Sequence, residues 1–199
     1  MREMIKMVAT LAILAAVSGG LLSAVKISTE GRIDQAVLEF VQGPAIRSIM
    51  ENVSNDPLQD RFTMEIEGEE RSFFVGKREG KPGIIAFETK ASGYGGELGV
   101  MVGINMESGR IHGIDVTTHS ETPGVGSRAE TDVRFKTSFE GLPVTDDEKI
   151  RIGDEGGEIA AIGGATVTSR AVSLAVRRAG NLYQEYQTQI KKEAETFSG

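Results

Sequence analysis

The 199-residue chain contains no cysteine. Disulfides, thiolate metal sites, iron–sulfur clusters and a cysteinyl link to any prosthetic group are excluded with it. A covalent cofactor would have to use another nucleophile. Histidine is almost as scarce: His112 and His119 are the only two, too few for a histidine-rich metal centre. There is no P-loop, no dinucleotide fingerprint and no internal repeat. Nor do the residues offer a Ser-His-Asp set, a pair of catalytic carboxylates or a convergent basic cluster. Positive charge is also in the minority. Setting Arg2, Glu3 and Lys6 aside from the 22 basic and 29 acidic residues leaves 20 and 28, a net of −8. Such a surface is a poor binder of nucleic acid and is repelled by anionic lipid headgroups.

What is present begins with an uncharged run from Met7 to Val25, bounded by Lys6 and Lys26. Nineteen helical residues span about 28 Å, close to the hydrocarbon thickness of a bilayer. A secretory signal peptide is the rival reading, with Arg2 and Lys6 as its basic region and Leu22-Ser23-Ala24 as its cleavage site. The run is longer than the apolar stretch of most signal peptides, which favours a retained single-pass anchor over residues 1–26, surrounded by membrane lipid. Arg2 and Lys6 favour a cytoplasmic N-terminus, although Lys26, Arg32 and Arg47 on the other flank weaken that count.

Over the whole chain, 39% apolar content and 25 glycines describe a turn-rich globular protein. Thr29 to about Asn52 reads as a helix, interrupted at Gly43-Pro44, with Ile33, Val37, Phe40 and Val41 on one face. It is expected to form a stalk over residues 27–60 that packs on a domain spanning 61–199. Arg61 to Glu67, Arg71 to Arg78 and Gly83 to Thr89 are strand candidates, and Phe73-Phe74-Val75 reads as core or partner surface. Leu98, Val100, Val102 and Ile104 alternate as in a half-buried strand. Glu107-Ser108-Gly109 then turns the chain into a second strand, Arg110 to Thr117. Ala129 to Phe139 is expected to be a helix with Val133 and Phe139 inward. Lys149 to Ile152 and Ile159 to Ile162 are expected as short strands. Tyr183 to Tyr186 and the Lys/Glu-rich segment beyond are expected to be an exposed helix end. Strands and helices do not alternate regularly and the clearest strand pair is antiparallel, so the fold class is α+β.

Two motifs carry chemistry. The first is Gly163-Gly164-Ala165-Thr166-Val167-Thr168-Ser169-Arg170, a glycine turn followed by hydroxyl residues. It leads into a helical pattern through Val172, Ala175, Val176, Ala179, Leu182, Tyr183, Tyr186 and Ile190. A turn feeding a helix start leaves unpaired N–H groups and the positive end of the dipole, which suit a phosphate. Thr168 and Ser169 are natural N-caps. Taken alone, the same pattern describes many ordinary helix starts. The second is His119-Ser120-Glu121-Thr122-Pro123-Gly124-Val125-Gly126, where Pro123-Gly124 dictates a turn and polar residues crowd its entry. Taken alone, it is a surface turn.

Together, in this order, the motifs resemble the FMN-binding domain family. That domain is shared by RnfG of the Rnf electron-transport complex and NqrC of the sodium-pumping NADH:quinone oxidoreductase. The family's signature is Ser-Gly-Ala-Thr-x-Thr, and its loop reads Glu-Thr-Pro-Gly-(Leu/Ile/Val)-Gly. Gly93-Tyr94-Gly95-Gly96 ahead of the hairpin matches as well. The sequence departs at Gly163, where Ser, Thr or Asp is usual, and at Ala160, where the family has Asp. Both departures bear on the phosphate anchor more than on the flavin pocket.

The resemblance implies FMN joined through its phosphate to Thr168. Gly164, Ala165, Thr166 and Val167 would allow close backbone approach, and Glu121, Thr122, Pro123 and Gly124 would border the ring. A carboxylate at the ring would disfavour negative charge on the reduced flavin and lower its potential. The resemblance further implies a flavin transferase that uses FAD, an extracytoplasmic domain, and polytopic membrane and iron–sulfur subunits as partners. The function implied is a redox subunit of an ion-translocating ferredoxin:NAD+ oxidoreductase, not catalytic alone. The short chain fits the Rnf relative better than the quinone-reductase one. Two other readings remain: a free-standing membrane-tethered flavoprotein donor, and an anchored adaptor with no redox role.

Overall fold

The computed structural model describes residues 1–197. The first of its two units, Met1–Phe40, is dominated by one helix, α1 (Arg2–Ala36). Its apolar side chains, Leu11, Leu14, Leu21 and Leu22 among them, are exposed. Among the described residues it is the helix long and apolar enough to cross a membrane. A π-helical stretch, Val37–Gln42, leads to α2 (Gly43–Ile49), whose first turn holds Pro44. Proline is tolerated there because the first N–H groups of a helix have no partner within it.

The second unit begins at Val41. Among the described residues, five strands form one antiparallel sheet in chain order: β1 (Arg61–Ile66), β2 (Glu69–Arg78), β3 (Lys81–Ser92), β4 (Glu97–Asn105) and β5 (Arg110–Thr118). The first two hairpins turn on Glu67-Gly68 and Glu79-Gly80, each with positive φ at both residues. That is the mirror-image turn whose twist matches a right-handed strand pair. The β4–β5 hairpin pairs Val102 with Ile114 and Asn105 with Arg110, as the sequence predicts.

Side-chain alternation gives the sheet two apolar faces. Phe73, Val75, Ile85, Phe87, Val100 and Val102 join a core with Val172, Ala175, Val176, Ala179 and Tyr183 of the long helix α5 (Thr166–Glu195). Phe73 stacks on Phe62 at 5.3 Å and lies 4.8 Å from Phe87, a row running across β1 to β3. On the opposite face, Phe74, Ile84, Ala86 and Met101 are buried as well, and α2 buries Ile46 and Ile49 there. Strand β4 is therefore buried on both sides and not half-buried as its alternation suggests; Gly99 and Gly103 supply room where a side chain would stand.

Ile49 is the contact that matters most on this face, since a Cβ on Gly103 would overlap its Cγ2. Gly103→Val should push α2 off the sheet and destabilise the domain by about 1–3 kcal/mol, the usual cost of overpacking. A lower thermal midpoint for this variant is the expected result, and an unchanged one would show that α2 does not press on β4.

Four local expectations change. Ala129–Phe139 is two short helices, α3 (Arg128–Thr131) and α4 (Val133–Thr137), because Asp132 is extended and its carboxylate caps α4 at the N–H groups of Arg134 and Phe135. Chief among the groups holding the Asp132 carboxyl below its usual range is the Phe135 N–H. The break resets the helix phase, so Val133 is 65% exposed while Phe135 and Phe139 are buried. Lys149–Ile152 and Ile159–Ile162 contribute a single parallel bridge, Ile152 to Ile159, around a 3₁₀ turn at Gly153–Glu155, and no strand. The end of α5 is not simply exposed: Tyr183, Ile190 and Ala194 are fully buried, because the sheet is long enough to underlie it. Burial also raises the Tyr183 phenol above its ordinary pKa. Finally, neither Thr168 nor Ser169 is an N-cap, because α5 already starts at Thr166 after Ala165.

Candidate functional site

Three segments converge at one end of the sheet: the turn between β3 and β4, the loop that follows β5, and the turn into α5. They enclose a cleft of 420 Å³ lined by Tyr94, Glu121, Thr122, Val125, Gly126 and Gly164 to Thr168. Seven of the nine sequence-predicted residues meet here: Glu121, Thr122, Gly164, Ala165, Thr166, Val167 and Thr168. Pro123 and Gly124 shape the loop without lining the cleft. Gly124 has φ of 71° and donates its N–H to Ser127 Oγ at 2.9 Å, and the Val125 and Ser127 N–H groups both return to the Thr122 carbonyl.

Entry into α5 is a tight turn with no side-chain cap. Gly164 has φ of 81°, and the Ala165 N–H donates to the Ile162 carbonyl at 2.9 Å. Ser169 ties that turn down, since its hydroxyl accepts the Ile162 N–H at 2.9 Å and donates to the Ala165 carbonyl at 3.0 Å. No side chain caps the first turn of this 30-residue helix. Its leading N–H groups and the positive dipole end are therefore left to the cleft. The residues present fit a flavin phosphate on this observation.

Thr168 lies within the first turn of the helix and is 1% exposed, at the floor of the cleft. Its hydroxyl donates to Glu121 Oε2 at 2.7 Å. Glu121 is buried too, and its other oxygen accepts the N–H groups of Tyr94 at 2.8 Å and Gly95 at 3.2 Å. The Glu121 N–H points to His119 Nδ1 at 3.3 Å, and His119 Nε2 meets Glu130 at 3.1 Å. The carboxylate is thus oriented from both of its neighbouring segments.

Tyr94, Val125 and Gly126 line the site without having been expected there from sequence, and Gly93 and Gly95 gain a role. A Cβ at Gly93 would strike Glu121 Oε1, and one at Gly95 would strike the Ser120 carbonyl. The signal lies in the Gly93-Tyr94-Gly95-Gly96 run, which on its own reads as an ordinary turn. A larger cleft of 880 Å³ beside β2, β3 and α5 contains none of the predicted residues. Six glutamates line it against Arg71, Lys90 and Arg178, a balance hostile to a phosphate.

The FMN-binding domain model matches residues 93–181. RnfG of Vibrio cholerae, a component of the ion-translocating oxidoreductase complex, is 31% identical over 200 residues, covering 95% of this chain and 94% of that one. The chain belongs to the RnfG family. The Escherichia coli K12 member of that family is 32% identical over 193 residues, covering 92% of each. The matched region opens at Gly93 and closes within α5, so in this RnfG relative it contains all three segments around Thr168. In fold, the chain is similar to NqrC of Shewanella oneidensis (22% identity, TM-score 0.52, 71% of this chain and 73% of that one). It is equally similar to the corresponding component of the Na(+)-translocating NADH-quinone reductase of Parabacteroides distasonis (22%, 0.52, 81% and 96%).

Proposed function

We propose that this chain is the flavin-bearing electron-transfer subunit of a membrane-bound ion-translocating ferredoxin:NAD+ oxidoreductase complex, with FMN esterified through its phosphate to Thr168. The observation that carries the reading is the Thr168 hydroxyl on the floor of a cleft whose wall is an uncapped helix start. FMN bound there supplies the electron-carrying ring, chemistry no side chain in this cysteine-free chain provides. The protein's part is to hold and shield it. The first-turn N–H groups of α5 receive the phosphate, Gly164 and Ala165 allow close approach, and Tyr94 and Val125 offer apolar surface beside the cleft.

In this reading residues 1–26 anchor the chain in lipid with the N-terminus in the cytoplasm. Residues 27–40 form the stalk, shorter than the 27–60 expected from sequence because α2 packs on the sheet, and the unit from Val41 onward forms the domain outside the cytoplasm. There a tether keeps the cofactor at high local concentration where a free one would be lost by dilution. Polytopic and iron–sulfur subunits of the complex are the partners, and a separate flavin transferase matures the chain. Purified gently from its native membrane, the chain should bring those subunits with it and gain the mass of one FMN less one water. Flavin on a chain that purifies without them would move the reading to a free-standing electron donor.

The absence of cysteine makes orientation simple to test, since one introduced thiol is the only one present. Glu140→Cys, at an exposed position of the domain, should react with a membrane-impermeant maleimide in intact spheroplasts, and Glu3→Cys only after lysis. Equal protection of Glu140→Cys would place the domain inside.

A further inference from the structure

We propose that the Glu121 carboxylate is the base that removes the Thr168 proton when flavin is attached. The inference rests on the reading of Thr168 as the attachment point. A threonine hydroxyl is a weak nucleophile and needs an adjacent base to react at neutral pH. Oε2 of Glu121 lies 2.7 Å from Thr168 Oγ1 and accepts its proton in a hydrogen bond, already within transfer distance. Glu121 and Thr168 are 6% and 1% exposed, so bulk water does not compete for that proton.

The carboxylate is placed, not merely near. Two backbone N–H groups hold Oε1, and that leaves Oε2 aimed at the hydroxyl. A Cβ at Gly126 would stand 2.5 Å from Oε2 and 3.0 Å from Thr168 Oγ1, so the loop's last glycine keeps the space around the pair clear. With the hydroxyl proton directed at Glu121, the lone pairs of Oγ1 are left for the cleft.

The co-reactant is a flavin adenine dinucleotide presented by the transferase. Thr168 Oγ1 attacks the phosphorus nearer the riboflavin. The new P–Oγ1 bond forms as the bridging P–O bond of the pyrophosphate breaks, and AMP leaves with the bridging oxygen. The Oγ1 proton passes to Glu121 Oε2 and then to solvent. Nothing is oxidised or reduced.

The test measures flavin incorporation into the full-length, detergent-solubilised chain by purified transferase and FAD, read as fluorescence in a denaturing gel at several chain concentrations. Glu121→Gln keeps a carbonyl oxygen for the Tyr94 and Gly95 N–H groups and the same shape, but loses the base. Its kcat for attachment should fall about 100-fold or more, with KM for the chain and the melting temperature unchanged. Glu121→Asp, which retains a carboxylate, should load faster than Glu121→Gln; it carries the test if the glutamine variant melts low, by loading measurably while that variant does not. Wild-type kcat in Glu121→Gln, a loss confined to KM, or equal rates in the Asp and Gln variants would each overturn the base role. A wild-type chain that takes up no flavin, or flavin that persists in Thr168→Ala, overturns the assignment of Thr168 and this proposal with it.

Discussion

Replacing Thr168 with valine is expected to remove flavin from the denatured chain completely while leaving the domain folded. Valine matches threonine in shape, so the packing of this 1% exposed position is retained and only the hydroxyl is lost. One stability cost remains. Glu121 Oε2 loses its donor, and an unpaired buried acceptor costs about 1–3 kcal/mol, less where water can enter the cleft. The melting temperature should therefore drop modestly while the fluorescent band disappears. Thr168→Ser keeps the oxygen and should keep the flavin. If the valine variant still carries it, Thr166 becomes the next candidate, because the Ser169 hydroxyl is committed to Ile162 and Ala165.

Gly95→Ala is the second large effect. Its new methyl would collide with the Ser120 carbonyl oxygen, 2.6 Å from the Ser120 carbonyl carbon and 3.0 Å from Glu121 Cα. These are backbone atoms and have no rotamer to escape into. The β3–β4 turn must therefore separate from the loop after β5, and Glu121 loses the N–H groups of Tyr94 and Gly95. Destabilisation of about 1–3 kcal/mol is expected from the overlap, together with loss of most flavin attachment, because the orientation of Glu121 goes with it. Gly83→Ala serves as the control, since the nearest atoms to its Cβ are Arg78 side-chain carbons at 3.6 Å. A Gly95→Ala chain that melts and loads like wild type would show that the turn and loop are not in contact.

The sheet was legible from sequence because four strands end in glycine-bearing turns and their apolar residues alternate. The second apolar face was not. Met101 and Gly103 read as the solvent side of β4 until that face is found buried, with Ile49 of α2 against Gly103, a long-range contact that local periodicity does not encode. The α3–α4 break was hidden for a different reason: Asp132 within a helical pattern is unremarkable until its side chain is seen capping the next turn. At the candidate site, the structure brings the two motifs together, with Thr168, Glu121 and the α5 turn lining one cleft. The inward turn of Glu121 was not readable, nor were the glycines that make room for it. Their role lies in what they let approach from elsewhere in the chain, and spacing along one segment carries no trace of that.

The meander of β1 to β5 lets each strand find its neighbour as soon as it is made, but the pair at the heart of the cleft obeys another schedule. Glu121 is positioned by residues 93–95 and meets Thr168 only when α5, the latest of the three segments in chain order, has docked across the finished sheet. No partly synthesised or misfolded chain presents that hydroxyl beside that carboxylate. Attachment of the cofactor would then act as an inspection: a chain that carries it has completed its fold, and one that has not stays dark.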